Sequence, residues 1–456
     1  MRILRSITRF SLFMLSARRR ARWARRWQAS FLRLRQRALL TTVALTLTAG
    51  AFLMAWRLPG CASRDRENGA ILAEQPYPAL KRPAEPTPSA SVVQYSDRTP
   101  IRAIWVARFH YHYPDDVRTI LRNAASLGFN TVLWQVRGEA TVAYPSRLEP
   151  WSREYQFTDP GFDPLAVAVD EAHALGMRIE AWVNAMPGWK GATPPPVPNQ
   201  VYNAHPEWFM YGPDGQRQPL GDFYVILNPC IPEVREHIVA VCDEIVTNYA
   251  VDGIHLDYIR YAWDGVKNAQ QLYPSDPRAL ALYREQTGRA PQDDWPNWTA
   301  WRMAQLTTLV GQIRDTIHTR RPEVTLSAAT WADPQRGARE YFQDAIGWTN
   351  AGLFDATYPM AYSDDARKFG EYVGIYMRYA PGGRIIPGIG AYKHTQPAQL
   401  QEQLAMCGRW GGDFAVFSYD SLYATAGDRG AKPDALRKKA QERDMRRQTL
   451  DQMLHR

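Results

Sequence analysis

Cysteine is scarce in this chain, with four residues in 456, and Cys61 precedes the stretch that carries folding signals. The remaining three, Cys230, Cys242 and Cys407, form no Cys-x-x-Cys pair and no Cys/His cluster, which excludes a disulfide framework and the familiar zinc motifs. Buried free thiols are therefore expected. No glycine-rich phosphate loop follows the first strand-like run, so a doubly wound dinucleotide fold loses its usual motive. Acid is missing altogether from residues 1–57, which hold thirteen Arg, while 428–456 holds nine basic residues against five acidic ones. Those ends account for more than the whole formal charge of +9 and leave about −8 on residues 58–427. A body without a basic surface is not expected to bind nucleic acid.

The Arg-rich segment 1–37 is followed by an uncharged, largely apolar run at 38–56. Nineteen residues of helix span ~28 Å, close to the thickness of a bilayer core. Positive charge stays on the cytoplasmic side, so this segment reads as a membrane anchor or export signal with the body on the far side. Leu58-Pro59-Gly60-Cys61 also resembles a bacterial lipoprotein signal, with Arg57 and Pro59 as departures from that pattern. Residues 57–100, rich in Pro, Ala, Ser and charge, read as a tether, because they cannot bury enough apolar surface to offset ordering. The folded body is expected at 101–427, followed by a charged tail, 428–456, whose apolar positions are too sparse for a firm stripe and which reads as solvated.

From residue 101 onward, strand-like runs alternate with helical ones. The strands are expected at 101–108, 130–137, 178–186, 253–260, 325–332, 354–362, 384–392 and 413–423, with helices at 115–127, 164–175, 232–249, 299–319 and 399–409 between them. Eight strands with intervening helices point to an α/β fold, the (β/α)8 TIM barrel. Two connections are long, 187–227 and 263–298, and both leave from the C-terminal ends of strands, where they are expected to form a wall or lid.

In such a fold the chemistry gathers at the C-terminal strand ends. These carry Arg108 and His110, Gln135, Arg137 and Glu139, Trp182 and Asn184, His255 and Asp257 with Tyr261 beyond, Trp331 and Asp333, Tyr358 and Tyr362, Tyr392, then Ser418 and Asp420. Aromatic faces stack on pyranose C–H groups, and amides and acids bond sugar hydroxyls, so the mixture suits a glycan cleft. Glycoside hydrolysis usually needs two carboxyl groups. Asp257 is the first candidate, with Glu139 or Asp420 beside it. Asp333, Asp364 and Asp365 have a simpler duty available as turn starters or helix caps. Arg108, Gln135, Arg137, Trp182, Asn184, His255, Tyr261, Trp331, Tyr358 and Tyr362 are the candidate substrate-binding residues. No cofactor and no metal site is expected.

Several motifs carry a resemblance in their order along the chain. They are Asn130-Thr131-Val132-Leu133-Trp134-Gln135-Val136-Arg137, then Tyr144-Pro145-Ser146 with Pro150-Trp151, then His205-Pro206-Glu207-Trp208, then Leu227-Asn228-Pro229 with Pro232-Glu233-Val234-Arg235, and above all Asp252-Gly253-Ile254-His255-Leu256-Asp257-Tyr258. Together they resemble the bacterial glycosyl hydrolase 10-like proteins over roughly 102–423. The resemblance implies an envelope barrel hydrolase acting on a polysaccharide, with peptidoglycan glycan strands as a plausible substrate. It also implies cleft positions for Gln135, Arg137, Asn184 and Asp257, with Asp257 as the acid. The chain departs from many relatives where Tyr258 follows Asp257, and no Glu ends the fifth strand. Two other readings compete: a non-catalytic envelope protein that binds glycan on the same barrel, and a metal-dependent amidohydrolase using His110 and His112, which would also need His on strands five and six.

Overall fold

The structure is a computed structural model that describes residues 99–262, 273–428 and 432–455. The expected anchor at 38–56, nearly all of the tether and part of the 263–298 insertion lie outside the described residues. Among the described residues no helix is long and apolar enough to cross a membrane.

The described residues form eleven strands: β1 (Arg102–Val106), β2 (Thr131–Arg137), β3 (Arg178–Asn184), β4 (Pro187–Gly191), β5 (Gly221–Ile226), β6 (Gly253–Asp257), β7 (Thr325–Trp331), β8 (Ala356–Met360), β9 (Arg384–Ile385), β10 (Gly388–Gly390) and β11 (Phe414–Phe417). Nine of them make one curled sheet in the order β10-β11-β1-β2-β3-β6-β7-β8-β9, with every neighbouring pair parallel. Helices between successive strands cover the outside of this barrel-like sheet. The expected single strand at 384–392 is cut in two by Pro387, which has no N–H to donate. The two pieces face different partners, β9 pairing with β8 and β10 with β11, so this one run reaches both edges of the ladder.

Alternation sorts the apolar side chains into two layers. Ala103, Trp105, Leu133, Trp182, Tyr358 and Ala415 pack together inside the curl. Ile104, Val132, Trp134, Ile179, Ile254 and Leu326 face the helices in the larger outer core. Six of the helices that cover the sheet begin on proline, at Pro114, Pro164, Pro232, Pro277, Pro334 and Pro397. Proline suits that first position because its missing N–H has no intrahelical partner there. Asp333 and Asp365 cap the helices Pro334–Tyr341 and Ala366–Tyr379 through bonds of 3.0 and 2.8 Å from the Arg336 and Arg367 amides, so both acids serve as caps.

Two connections have more structure than a loop reading gives. Within 187–227, β4 and β5 form an antiparallel hairpin. The tail, expected to be solvated, contains the helix Pro433–Leu454, which docks with Arg443, Arg446, Thr449 and Leu450 buried. Two arginines seat it together with Leu450, Met453 and Leu454, an apolar set too sparse for hydrophobic periodicity to reveal the contact. Among the described residues the three cysteines, Cys230, Cys242 and Cys407, are free and buried, and burial pushes each thiol up to about 12.

Candidate active site

Arg108 follows β1 and connects most of one side of the mouth. Its amide donates to Gln135 Oε1 at 3.1 Å, and its guanidinium pairs with Glu139 and, at 3.3 Å, with Glu154. The Tyr224 hydroxyl, on β5, also bonds this guanidinium. Burial works to lower the Arg108 pKa, but the carboxylates of Glu139 and Glu154 outweigh it and raise it. Glu139 is buried, with Arg108 on one carboxylate oxygen and Arg153 on the other. Arg153 in turn lies over the Trp189 ring, 4.6 Å from its centroid, on β4. The chain makes room for this cluster through Gly138, where a Cβ would stand 2.5 Å from the Arg108 guanidinium.

Asp257 ends β6, opposite Asn184 of β3 in register. Its Oδ1 accepts from the Tyr258 amide at 2.6 Å and from Arg260 Nη1 at 3.1 Å. Tyr258 adopts a left-handed φ of 50°, a conformation costly for a non-glycine residue, and it directs the chain sharply away from the strand. Arg260 folds back over the Tyr258 ring at 4.0 Å, and that ring meets Tyr224 edge-on at 4.9 Å. Tyr224 therefore joins the two halves: burial raises its hydroxyl, Arg108 opposes this, and Glu139 and Asp257 both add to the rise. Asn184 accepts from Trp182 Nε1 at 2.9 Å, so these two hold each other beside Asp257.

Across the mouth, Tyr362 packs between Phe417 (5.1 Å), Tyr392 (6.2 Å) and Trp105 (6.3 Å). Tyr392 remains 48% exposed. Trp331 stacks on Tyr341 at 4.4 Å and receives Arg336 at 5.3 Å. Asp420 lies in the short turn Tyr419–Ser421 after β11, bonded by the Ser418 hydroxyl and 3.6 Å from His110 Nε2, with its side chain 44% exposed. His110 Nδ1 accepts from the Ala107 amide at 3.1 Å, which places the imidazole proton on Nε2, toward Asp420. Burial lowers His110 to about 4, against the pull of Asp420. His112 does not join it in a ligand pair, and among the described residues no three His, Cys, Asp or Glu side chains are arranged to hold a metal ion.

Four candidate binding residues are placed elsewhere. Arg137 would point into the curl by strict alternation from Gln135, but the ladder with β3 shifts register between Gln135 and Arg137. That bulge re-aims the side chain outward, where it pairs with Glu149 at 2.6 Å and donates to the Ala185 carbonyl at 3.1 Å. Burial works against the Glu149 charge, yet Arg137 and His237 outweigh it and hold the carboxyl at about 2. His255 is fully buried inside the sheet, with Nε2 accepting from Trp105 Nε1 at 3.1 Å and Nδ1 facing Ser327 Oγ at 2.8 Å. Tyr358 packs against it at 4.9 Å, also fully buried. The Tyr261 hydroxyl lies 3.3 Å from Cys230 Sγ and from the Arg302 carbonyl, inside the outer core. These four are structural. Tyr224, Arg153, Glu154 and Arg260 stand at the mouth instead; Tyr224, Arg153 and Glu154 come there through contacts distant in sequence, whereas Arg260 is held by Asp257 three residues before it.

The family described as "Glycosyl hydrolase-like 10" matches residues 100–379. The Escherichia coli K12 protein named "Glycosyl hydrolase DigH" is 27% identical over 408 residues, covering 78% of this chain and 86% of its own length. "Glycosyl hydrolase YngK" of Bacillus subtilis strain 168 is 29% identical over 301 residues, covering 59% of this chain and 54% of its own. Among solved structures, the PgaB (BpsB) glycoside hydrolase domain from Bordetella bronchiseptica is similar with a TM-score of 0.53 at 15% identity, covering 75% of this chain and 98% of that domain. The beta-amylase catalytic domain from Paenibacillus polymyxa is similar with a TM-score of 0.52 at 11% identity, covering 75% and 97%. At those identities the two structures speak to the fold alone.

Proposed function

The chain belongs to the glycosyl hydrolase-like 10 family and is a glycoside hydrolase, and from that premise we propose that it cuts an envelope or extracellular polysaccharide, with peptidoglycan glycan strands as the foremost substrate. We read the curled sheet as a (β/α)8 barrel, with the run 384–390 as a single strand position that closes the ring. The apolar segment 38–56, after its Arg-rich leader, supports export of this body to the far side of a membrane.

The observation that carries the mechanistic reading is the placement of Asp257. Its Oδ1 is held by the Tyr258 amide and Arg260, which leaves Oδ2 for the substrate. In the strand order, β11 lies four positions from β6, which in an eight-position ring is the opposite side. We therefore read Asp420 as lying on the side of the cleft opposite Asp257, and its half-open carboxylate favours it as the second carboxyl. Glu139 has both oxygens engaged by arginine and serves to fix Arg108 and Arg153. In this mechanism one carboxyl of the Asp257–Asp420 pair assists the leaving glycosidic oxygen while the other supports attack at the anomeric carbon. Tyr362 and Tyr392 offer faces to the sugar rings, and Gln135 and Asn184 contribute amides.

The test is release of new reducing ends from denuded peptidoglycan and from other β-linked glycans by the full-length protein. Asp257→Asn is expected to abolish release, by at least about a thousandfold, while glycan pull-down persists. Undiminished release by that variant would remove Asp257 from the mechanism, and release of sugars only from a glycan absent from envelopes would redirect the substrate.

A further inference from the structure

The docked helix Pro433–Leu454 buries two guanidiniums, and both are directed at the loops that form one side of the mouth. Arg446 donates to the His394 carbonyl through Nε at 2.9 Å and Nη2 at 2.8 Å, reaches the Tyr392 carbonyl at 3.3 Å, and donates to the Ser421 carbonyl through Nη1 at 3.2 Å. One side chain thereby ties the loop after β10 to the loop after β11. Arg443 donates through Nε to the carbonyl of Asp420 itself at 2.7 Å and is held from behind by Asp428 at 2.8 Å. A helix docked only for stability gains more from apolar contacts, because burying a guanidinium carries a desolvation cost that carbonyl bonds must offset. Here each buried arginine ends on backbone within two residues of a side chain at the cleft.

We infer that Arg443 and Arg446 are positioning residues, through which the C-terminal helix sets the Asp420 carboxylate and the Tyr392 ring at the mouth. The inference rests on Asp420 being the second carboxyl of the reaction proposed above. Arg443 fixes the backbone of Asp420, while Ser418 and His110 fix its carboxylate, so the oxygen has little freedom to drift. Arg446 fixes the height of Tyr392 relative to Tyr362 and Phe417, the rings on which it leans. Lysine at 446 would supply a single point of charge in place of a fork that serves three carbonyls.

The experiment compares the full-length wild type with Arg443→Leu, Arg446→Leu, Arg446→Lys, Asp420→Asn and the double variant R443L/D420N. It measures kcat and KM for glycan release, melting by circular dichroism, and amide hydrogen exchange. Arg443→Leu and Arg446→Leu are expected to lower kcat by about ten- to a hundredfold at temperatures where they remain folded, with KM within about twofold. R443L/D420N should be no slower than D420N alone, since the arginine acts through that carboxylate. Arg446→Lys should recover only part of the loss. Exchange should quicken at 391–394 and 418–423 and not elsewhere. Losses that follow the unfolded fraction, or that add to D420N, overturn the inference, as does unchanged exchange in those loops. Normal release by D420N alongside loss in D257N overturns it while leaving the glycosidase reading intact. No release by the wild type from any glycan removes the glycosidase reading, and the exchange measurement then decides alone whether the arginines position the loops.

Discussion

A Cβ at Gly138 would stand 2.5 Å from the Arg108 guanidinium, and Arg108 cannot simply swing aside, because Gln135, Glu139, Glu154 and Tyr224 all hold it. Gly138→Ala should therefore act on the site more than on the fold, lowering kcat/KM by about tenfold or more with a urea midpoint near that of the wild type. An unchanged kcat/KM would mean that Arg108 has slack that these contacts do not suggest. Arg137 makes the opposite case, since its guanidinium neutralises the buried Glu149 and meets the mouth only through the Asn184 backbone carbonyl. Arg137→Leu leaves that carboxylate buried with only His237 as a charged partner, and should cost about 3–5 kcal/mol in urea denaturation. Adding Glu149→Gln should return part of that loss, and a single variant as stable as the wild type would refute the account. Residue identity alone read Asp333 as a turn starter, Asp364 and Asp365 as candidate caps and Asp257 as a strand-end acid, and of these Asp333 and Asp365 are the caps. It could not tell Arg137 from Arg108, because a one-residue bulge between Gln135 and Arg137 is invisible in an alternating pattern.

Elements were legible wherever burial imposes a period. Each of the eight expected strand runs contains an observed strand, and the runs overrun by one or two residues at some N-terminal ends and further at most C-terminal ends, where the ladder stops and polar side chains leave for the mouth, as at Asp257. Pro387 splits one run for lack of a donor, a break that the same sequence announces. What could not be read is pairing that depends on distant contacts. The hairpin β4–β5 hides inside a long, aromatic-rich connection, and the helix Pro433–Leu454 docks through two arginines and a sparse apolar set. The hairpin also carries a testable consequence. Its Tyr224 faces inward to Arg108, while the neighbouring Phe223 is half-exposed on the same strand. Phe223 is therefore expected to meet the glycan beyond the cleaved bond, and Phe223→Ala should raise KM for a long glycan about three- to tenfold with kcat nearly unchanged. A fall in kcat at constant KM would instead place Phe223 in the chemistry.

At the scale of the whole molecule, charge is sorted by depth as much as by position along the chain. The basic ends flank an acidic body, a division legible in composition, whereas the buried ionisable groups appear only in three dimensions. Three histidines are held below their ordinary value of 6.5 by burial, His394 among them, with His110 lowered to about 4 and His255 to about 3. Around His255 stand Trp105, Ser327, Glu180 and Tyr358, and the Ser327 hydroxyl already donates to Glu180 at 2.5 Å, so the imidazole carries its single proton on Nδ1. The folded state thus resists protonation that the unfolded chain accepts. Stability from these groups is complete above pH 6.5 and is lost as pH falls through about 4 and then about 3. Glu149 and Asp428, both held at about 2, add a further loss at the acid end of that window. Glu180, Asp163 and Asp276 oppose this, since burial raises them and their contribution is present at low pH and lost as pH rises. The melting temperature, followed by calorimetry at constant ionic strength, should be flat near pH 7 to 8 and decline below about 6.5, with a few kcal/mol lost by pH 4. His255→Asn should flatten that decline at some cost to stability at neutral pH, because it removes the group that the unfolded state protonates. A melting temperature at pH 4.5 equal to or above that at pH 7 would show that the raised carboxylates, and not the buried imidazoles, govern the acid response.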